Sequence, residues 1–581
     1  MLLEYGFGMN ENSKNVLGKF QNLLISCVVT GAYFMIVTFI FDITYELNDD
    51  VAIVNILSGR LGERSCFTYY LSSELGFILS SLYALIPAVP WYGLFISGIF
   101  VFGFFITTYI LLKLNNDAFK KVLVVSLELI IFTALFLRYY ILIHYTVAAA
   151  FIGAVGLFLL CVSKEKSKFE RLFALICVLM SYLIRENVGF MLAPFVFTGI
   201  LFLLIRDGKE HFKELLIFAV MYVGLLCSLL LINRLLPGGA EIKEYKEYNE
   251  VRTTLYDYAG IDNEDEKALN YYSQKGLNEG YVALYESYNI LLDEENSLEK
   301  MEKFASYAEV KNPISLKRKL YNAVYAYYYR AVVEKTDTPV NYLIYTMYGI
   351  SVVLALVLRK FRYLIPIAFT GLYRSAFFVF LYFRGRYPER VVVSLFMMEL
   401  LLIFAIVYNM LVESDKCIFV CTVIVVICLF GILSYENMFK LDAEYKRITG
   451  INEVGEKLDS ELLRNTDNYY FIDVFATVDN TEKAVKNWDC TVKNYSLMGG
   501  WIAKHPVVRK LYDKLGAANP AEALKDNKNV FIVTKENISP EKSRFEEWTG
   551  LKLELASRLT VTTNSNSIKK RRVQFNIYGA Q

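Results

Sequence analysis

Residues 21–41 read QNLLISCVVTGAYFMIVTFIF, 21 positions without a charged side chain. About 20 apolar residues in a helix match the thickness of bilayer hydrocarbon, so this run predicts a transmembrane helix. Further runs of the same kind fall near 91–112, 122–139, 141–162, 172–185, 188–205, 214–235, 341–358, 363–383, 391–410 and 417–434. That makes about eleven spans, the one at 172–185 being short. The whole chain agrees: 581 residues are 55% hydrophobic and 15% aromatic, with mean hydropathy +0.35, more apolar than a soluble globular chain. The fold class expected is mainly α, a polytopic transmembrane helical bundle. No small-residue cleavage site follows the first run, so it reads as a span and not as a signal peptide.

Lysine and arginine are retained in short cytoplasmic loops, and alternate loops here carry them: Lys113, Lys120 and Lys121; Lys164, Lys166, Lys168 and Arg171; Arg206, Lys209 and Lys213; Arg359, Lys360 and Arg362. That set is assigned inside together with Lys14 and Lys19, so the N-terminus is in and, with an odd number of spans, the C-terminus out. The chain then divides into an N-terminal transmembrane module (1–236, with a first outer loop at 42–90), an extracytoplasmic insert (237–340), a C-terminal transmembrane module (341–434) and an extracytoplasmic tail (435–581). The insert, beginning at Pro237, has helical periodicity, as in SLEKMEKFASYAEV. After Ser434 the runs YYFIDVFA, NVFIVT, LELASRLTVTT and RRVQFNIY read as strands of a small α/β domain.

The first outer loop contains NDDVAIVNILSG (48–59), in which Asp49 and Asp50 open an amphipathic helix, and then LGFILSSLYALIP, an apolar stretch too short to span. Acidic residues at a helix start also stabilise the helix dipole, which is the plain structural explanation for the pair. The chemical one is a carboxylate at the membrane surface that deprotonates an acceptor hydroxyl or binds a divalent ion.

With its acidic first loop just after the first span, interfacial helices, many spans and a tail domain outside, the chain resembles the GT-C class of membrane glycosyltransferases. NDDVAIVNILSG, LYALIPAVPWYG and NEVRTTLYDY also resemble segments of uncharacterised membrane proteins of Gram-positive bacteria. The GT-C resemblance implies a polyprenyl-phosphate sugar donor and a first-loop aspartate, Asp49 or Asp50, as general base or ligand of Mg or Mn. It also implies an acceptor on the extracytoplasmic side of a bacterial plasma membrane, whether glycan, lipid or protein.

Arginines on the side that disfavours them deserve a reason. Arg384, Arg386 and Arg390 lie in one turn, FRGRYPER, between the ninth and tenth spans. A guanidinium fork binds phosphate oxygens in pairs, so these arginines are candidates for the lipid phosphate, with Arg185 in YLIREN as a fourth. Snorkelling to headgroups or pairing with outer acids would explain them equally. Arg138, His144, Arg60 and Arg64 are lesser candidates. Inside the spans, Glu128, Arg374 and Glu399 are costly in hydrocarbon. Arg374 and Glu399 both sit about 14 Å below the outer turn at ~1.5 Å rise per residue, so they are expected to pair structurally.

Other chemistries lack their signatures. A net charge of +2 gives no bulk attraction for nucleic acid. No phosphate-binding loop or dinucleotide fingerprint occurs, which favours a lipid-borne donor over a nucleotide sugar. The nine cysteines lie mostly in apolar runs with no paired C-x-x-C, leaving a Cys66–Cys490 bridge as an open alternative. Tyrosines are abundant outside, as ordinary belt residues or as platforms for sugar rings. A flippase or transporter of lipid-linked saccharides is the rival class, although no inverted repeat is evident; a polysaccharide polymerase or ligase differs mainly in donor size.

Overall fold

The computed structural model describes residues 11–163, 168–235, 238–293, 297–311, 314–334, 336–337, 339–563 and 572–581. Lys164, Lys166, Pro237 and Arg571 lie outside the described residues, as do the side chains of Lys14 and Lys209. The chain is mainly helical with a small sheet near its C-terminus.

Helices occupy every apolar run. The first ten elements are α1 (Glu11–Ile40), α2 (Asn48–Ser58), α3 (Ser73–Leu85), α4 (Trp91–Leu114), α5 (Ala118–Leu135), α6 (Leu137–Ile141), α7 (Tyr145–Val162), α8 (Lys168–Ile184), α9 (Glu186–Asp207) and α10 (Phe212–Leu235). Nine helices among the described residues are long and apolar enough to cross a membrane. The helices at the third and fifth expected spans fall outside that set: α5 carries Lys120, Lys121 and Glu128, and α8 has 17 residues and carries Lys168, Glu170 and Arg171.

The bundle is organised around α7, whose every residue is buried. Its small residues permit this. A Cβ at Gly156 would lie 2.8 Å from the carbonyl of Ala174, and one at Gly153 would meet Leu192 and Ser181. Close helix approach through glycine is how packing succeeds where lipid supplies no hydrophobic drive.

The insert is helical throughout its described length: α11 (Gly239–Thr253), α12 (Glu266–Gln274), α13 (Glu279–Glu286), α14 (Ser297–Lys311) and α15 (Leu316–Val332). A π-helical turn, Thr254–Ala259, extends α11 and ends at Gly260, whose φ of 72° suits glycine. Then come α16 (Val340–Val357), α17 (Leu364–Arg384), α18 (Glu389–Val412) and α19 (Lys416–Leu463). The last differs from expectation. The composition changes after Ser434, yet the helix runs on to Leu463, because Glu, Lys, Leu and Asp continue it and no proline intervenes. At ~1.5 Å per residue its 48 residues reach about 72 Å, more than twice the hydrocarbon thickness. The tail therefore rides on a stalk.

Two short strands, β1 (Thr44–Tyr45) and β2 (Leu142–Ile143), pair in parallel. The tail sheet has the order β4-β3-β5-β7-β6, formed by β3 (Tyr469–Ile472), β4 (Tyr495–Leu497), β5 (Val530–Lys535), β6 (Leu553–Thr562) and β7 (Arg572–Ala580). β4, β3 and β5 are parallel; β7 and β6 are antiparallel. β4, three residues long, has no counterpart among the expected strands.

First loop, insert and tail meet at one end of the bundle. Tyr45 N–H donates to the Glu482 carbonyl (3.1 Å), Lys493 N–H to that of Arg60 (2.7 Å) and the Tyr248 hydroxyl to that of Gly500 (3.0 Å). His505 sits 2.9 Å from the Phe67 carbonyl through Nε2, while its Nδ1 accepts from Val507 N–H. Burial lowers this imidazole to about 4, so at neutral pH it is uncharged with its proton on Nε2. Cys66 and Cys490 are both free thiols, which removes the bridge between them.

Candidate active site

Asp49 and Asp50 occupy the second and third positions of α2, whose N-cap is Leu47, so neither carboxylate is the cap itself. Successive helical residues diverge by about 100°, and the two acids part accordingly. Asp50 is fully buried, its Oδ1 accepting from the Tyr92 hydroxyl (2.6 Å) and Tyr145 N–H (3.4 Å). Burial pushes its carboxyl well above the usual range, against the pull of the Tyr92 hydrogen bond. Asp49 faces a cavity of about 330 Å³ and accepts a hydrogen bond from the Trp501 indole N–H (3.1 Å). Burial raises its carboxyl too, opposed by the charges of Arg390 and Arg185.

Four segments enclose the cavity: the first loop with α2 and Tyr70, the insert with Arg252, Asp257 and Tyr288, the turn into α18 with Arg386 and Arg390, and the tail with Trp501, Lys493 and Asp459. Arg252 is buried and held by Asn249 (3.0 Å), the Tyr288 hydroxyl (2.8 Å) and Thr253 (2.9 Å). Arg386 pairs with Asp257. Arg390 lines the cavity half-buried and, among the described residues, has neither an ion pair nor a hydrogen bond on its side chain. Asp49 and Asp257 lend it attraction at longer range, and its N–H groups are left open to an incoming anion.

The remaining sequence candidates are distributed as follows. Arg384 is exposed, its guanidinium 4.7 Å from the centre of the Tyr258 ring and away from the cavity lining. Arg185 lies over Tyr70 (4.6 Å) and Tyr145 (5.6 Å), behind the Tyr70 side of the wall. Arg138 is clasped by Glu444 (2.7 Å) and Glu46 (2.9 Å). Arg60 pairs with Glu482 through both terminal nitrogens (2.6 and 3.0 Å), and Arg64 is exposed. His144 caps α7 by accepting Thr146 N–H at 3.0 Å. Glu128 accepts from Thr107. Arg374 and Glu399 meet at 3.6 Å, with Tyr348 donating to Glu399 (2.6 Å) and Arg374 donating to Tyr345 (3.0 Å).

A divalent ion does not fit beside Asp49. Asp50 turns away to Tyr92, Asp257 is taken by Arg386, and the cavity already brings three guanidinium groups together. Among the described residues no group of three or more His, Cys, Asp or Glu side chains is placed to hold a metal.

Arg252, Asp257, Tyr288 and Trp501 were not singled out from sequence. Arg252 stands in NEVRTTLYDY, a segment noticed only for its likeness to other chains. For Trp501 the usable signal was the preceding Gly499–Gly500 pair. Any Cβ at Gly499 would collide with the Tyr288 carbonyl, and Gly500 has φ 85°. The pair lets the tail close onto the insert and carries Trp501 to Asp49.

Fold and site together define a helical protein with a polar chamber at one end of an apolar bundle. The chain matches no protein-family model, no curated protein and no solved structure.

Proposed function

We propose that this protein is a GT-C-like glycosyltransferase of a bacterial plasma membrane, with about eleven spans, its N-terminus inside and its tail outside. It transfers a sugar from a polyprenyl-phosphate donor to an extracytoplasmic cell-envelope acceptor. One observation carries the reading: a half-buried carboxylate, Asp49, and a guanidinium without an ion pair or hydrogen bond among the described residues, Arg390, border the same cavity. Asp49 takes the proton of the acceptor hydroxyl as that oxygen bonds to the anomeric carbon. The bond from that carbon to the phosphate oxygen breaks, and the polyprenyl phosphate leaves with the electron pair, its charge met by Arg390 with Arg252 and Arg386 nearby. No metal is required by this scheme. Tyr70, Tyr288 and Trp501 offer faces on which a sugar ring can stack. The lysine- and arginine-bearing loops lie at the helix ends away from this cavity, which supports an extracytoplasmic site.

The test is release of polyprenyl phosphate from a panel of polyprenyl-phosphate sugars by protein in nanodiscs, supplied with cell-envelope acceptors. Asp49→Asn keeps an acceptor for the Trp501 indole and removes the base, so transfer is expected to fall by about 10³-fold, inside the ~10²–10⁴ range of general-base catalysis. A folded Asp49→Asn protein with undiminished transfer would sink the proposal.

A further inference from the structure

α14 and α15 belong to the same insert and present different outer faces. On α14 the exposed side chains include Glu302, Glu309 and Lys311, the pattern of a helix in water. The exposed charges of α15 are confined to its first turn, Lys317, Arg318 and Lys319. Beyond them, Val324, Tyr325, Tyr328, Tyr329 and Val332 are 46% to 62% exposed, and the one charge, Arg330, is buried and paired with Asp337 (2.7 and 2.6 Å). This half of α15 is apolar all round, while protein covers one side of it.

The covered side packs on α17, a helix long and apolar enough to cross a membrane. Lys319 Nζ lies 4.8 Å from the centre of the Phe383 ring, while the Tyr327 hydroxyl shares a hydrogen bond with that of Ser375 (2.9 Å) and accepts one from Arg374 (3.4 Å). Moving forward along α15 therefore means moving back along α17, so the two run antiparallel. α17 ends at Arg384, next to the turn that carries the chamber residue Arg386, so α15 enters at the chamber end and descends. Ser375 precedes Arg384 by nine residues, about 13 Å at ~1.5 Å per residue and nearly half of the ~30 Å of bilayer hydrocarbon. Non-helical backbone is tolerated at that depth where it lines a polar cavity. Thr336, Asp337 and Pro339, in the turn that follows α15, line a cavity of about 530 Å³ between α18 and α19 that also holds Arg138, Glu389 and Glu444.

We propose that α15 is a re-entrant helix set in the leaflet nearer the chamber, with phospholipid acyl chains against its exposed face and anionic phospholipid headgroups at Lys317 and Arg318. Neither of these cations has an ion pair among the described residues; Arg318 lies 5.4 Å from the Tyr321 ring. They stand at the positive end of the helix dipole, so an anionic phosphate there relieves both the dipole and the side-chain charges. Tyr321, one turn further on, falls where a tyrosine divides itself between headgroup and chain. This goes beyond the transfer reaction proposed above and does not rest on it.

The experiment places the photoreactive residue p-benzoylphenylalanine at one position of the full-length chain at a time, in vesicles of phosphatidylcholine and phosphatidylglycerol, and identifies the attached lipid by mass spectrometry. In place of Tyr325 or Tyr328 the probe is expected to capture acyl chains as readily as in place of Leu216, on the exposed face of α10. In place of Ile538, exposed in the tail, it should capture none. In place of Tyr321 it should capture phosphatidylglycerol beyond its share of the vesicle. Lys317→Gln with Arg318→Gln should lower that excess by about fivefold for each charge removed, leaving the ratio at Leu216 unchanged. Absence of lipid at both Tyr325 and Tyr328 would overturn the proposal, and so would a headgroup ratio at Tyr321 that ignores the double substitution.

Discussion

The polar chamber and the cavity between α18 and α19 flank the first turn of α18, and both are bordered by arginines, but in opposite states. On the rim of the latter, Arg138 and Arg330 are met by carboxylates within hydrogen-bond reach. In the chamber Arg390 has no such partner among the described residues. An arginine with its carboxylate is complete and contributes to architecture; one without it gains from an incoming anion. The partner, more than the arginine, separates a brace from a residue left open to an anion.

The largest effect expected from breaking this contrast is at Arg390. Arg390→Gln should lower transfer by about 10²-fold, the scale for losing one donor to a developing anion, without changing thermal unfolding. Arg138→Gln should do the reverse, sparing turnover per folded molecule and lowering the melting temperature, because Glu444 and Glu46 lose their counter-ion. Equal behaviour of the two variants in activity and melting assays would erase the distinction.

Depth sharpens it. Arg374 and Glu399 pair inside the bundle, 5% and 0% exposed at their side chains. Arg374→Met or Glu399→Met alone should cost about 3 kcal/mol or more, while the double replacement recovers much of it. Folded yield and detergent melting of the three variants decide this, and equal yields would count against a structural pair.

The adjacent carboxylates form a smaller version of the same contrast. Asp50→Asn should leave transfer essentially unchanged where Asp49→Asn lowers it by about 10³-fold. Because the folded-state pKa of Asp50 is raised, the stability linked to its protonation is fully present below the unfolded value, about 3.9. It is lost as pH rises toward the folded value. The amide stays neutral, so Asp50→Asn should unfold at a higher temperature than the wild type at pH 7, and the gap should close in acid. A gap that persists in acid or reverses would mean that burial does not raise the Asp50 carboxyl.

The smallest effect belongs to Trp501. Its indole N–H holds down the Asp49 pKa against burial, so Trp501→Phe should move the acid limb of the pH–rate profile to higher pH while transfer at alkaline pH changes little. A limb that stays put would make Trp501 a wall of the chamber and nothing more.

Much of the architecture was legible in advance. Apolar runs of span length became helices, and YYFIDVFA, NVFIVT and the two later runs yielded β3, β5, β6 and β7. The stalk was misjudged at Ser434, because leaving the membrane changes composition without ending a helix. YYFIDVFA was read too long for a like reason: Asp473 accepts from Ala476 N–H (2.9 Å) and turns the chain into a short helix. In the site, Asp49, Arg386 and Arg390 were named from sequence and share the chamber. Asp50 and Arg384 stand in the same motifs and face elsewhere. One position along a helix, or one turn of a loop, separates the two groups.

Hydropathy over about 20 residues, strand alternation and the clustering of charge are local properties, so the sequence alone determined the helices, the tail strands and a short list of charged candidates. Which of those candidates stayed without a partner was decided by tertiary structure. Arg138 is neutralised by Glu444, 306 residues away, and Asp49 is oriented by Trp501, 452 residues away. Electrostatic pairing acts over a few ångströms in space and is indifferent to separation along the chain. Only folding could leave Arg390 on the chamber wall with no carboxylate in hydrogen-bond reach among the described residues.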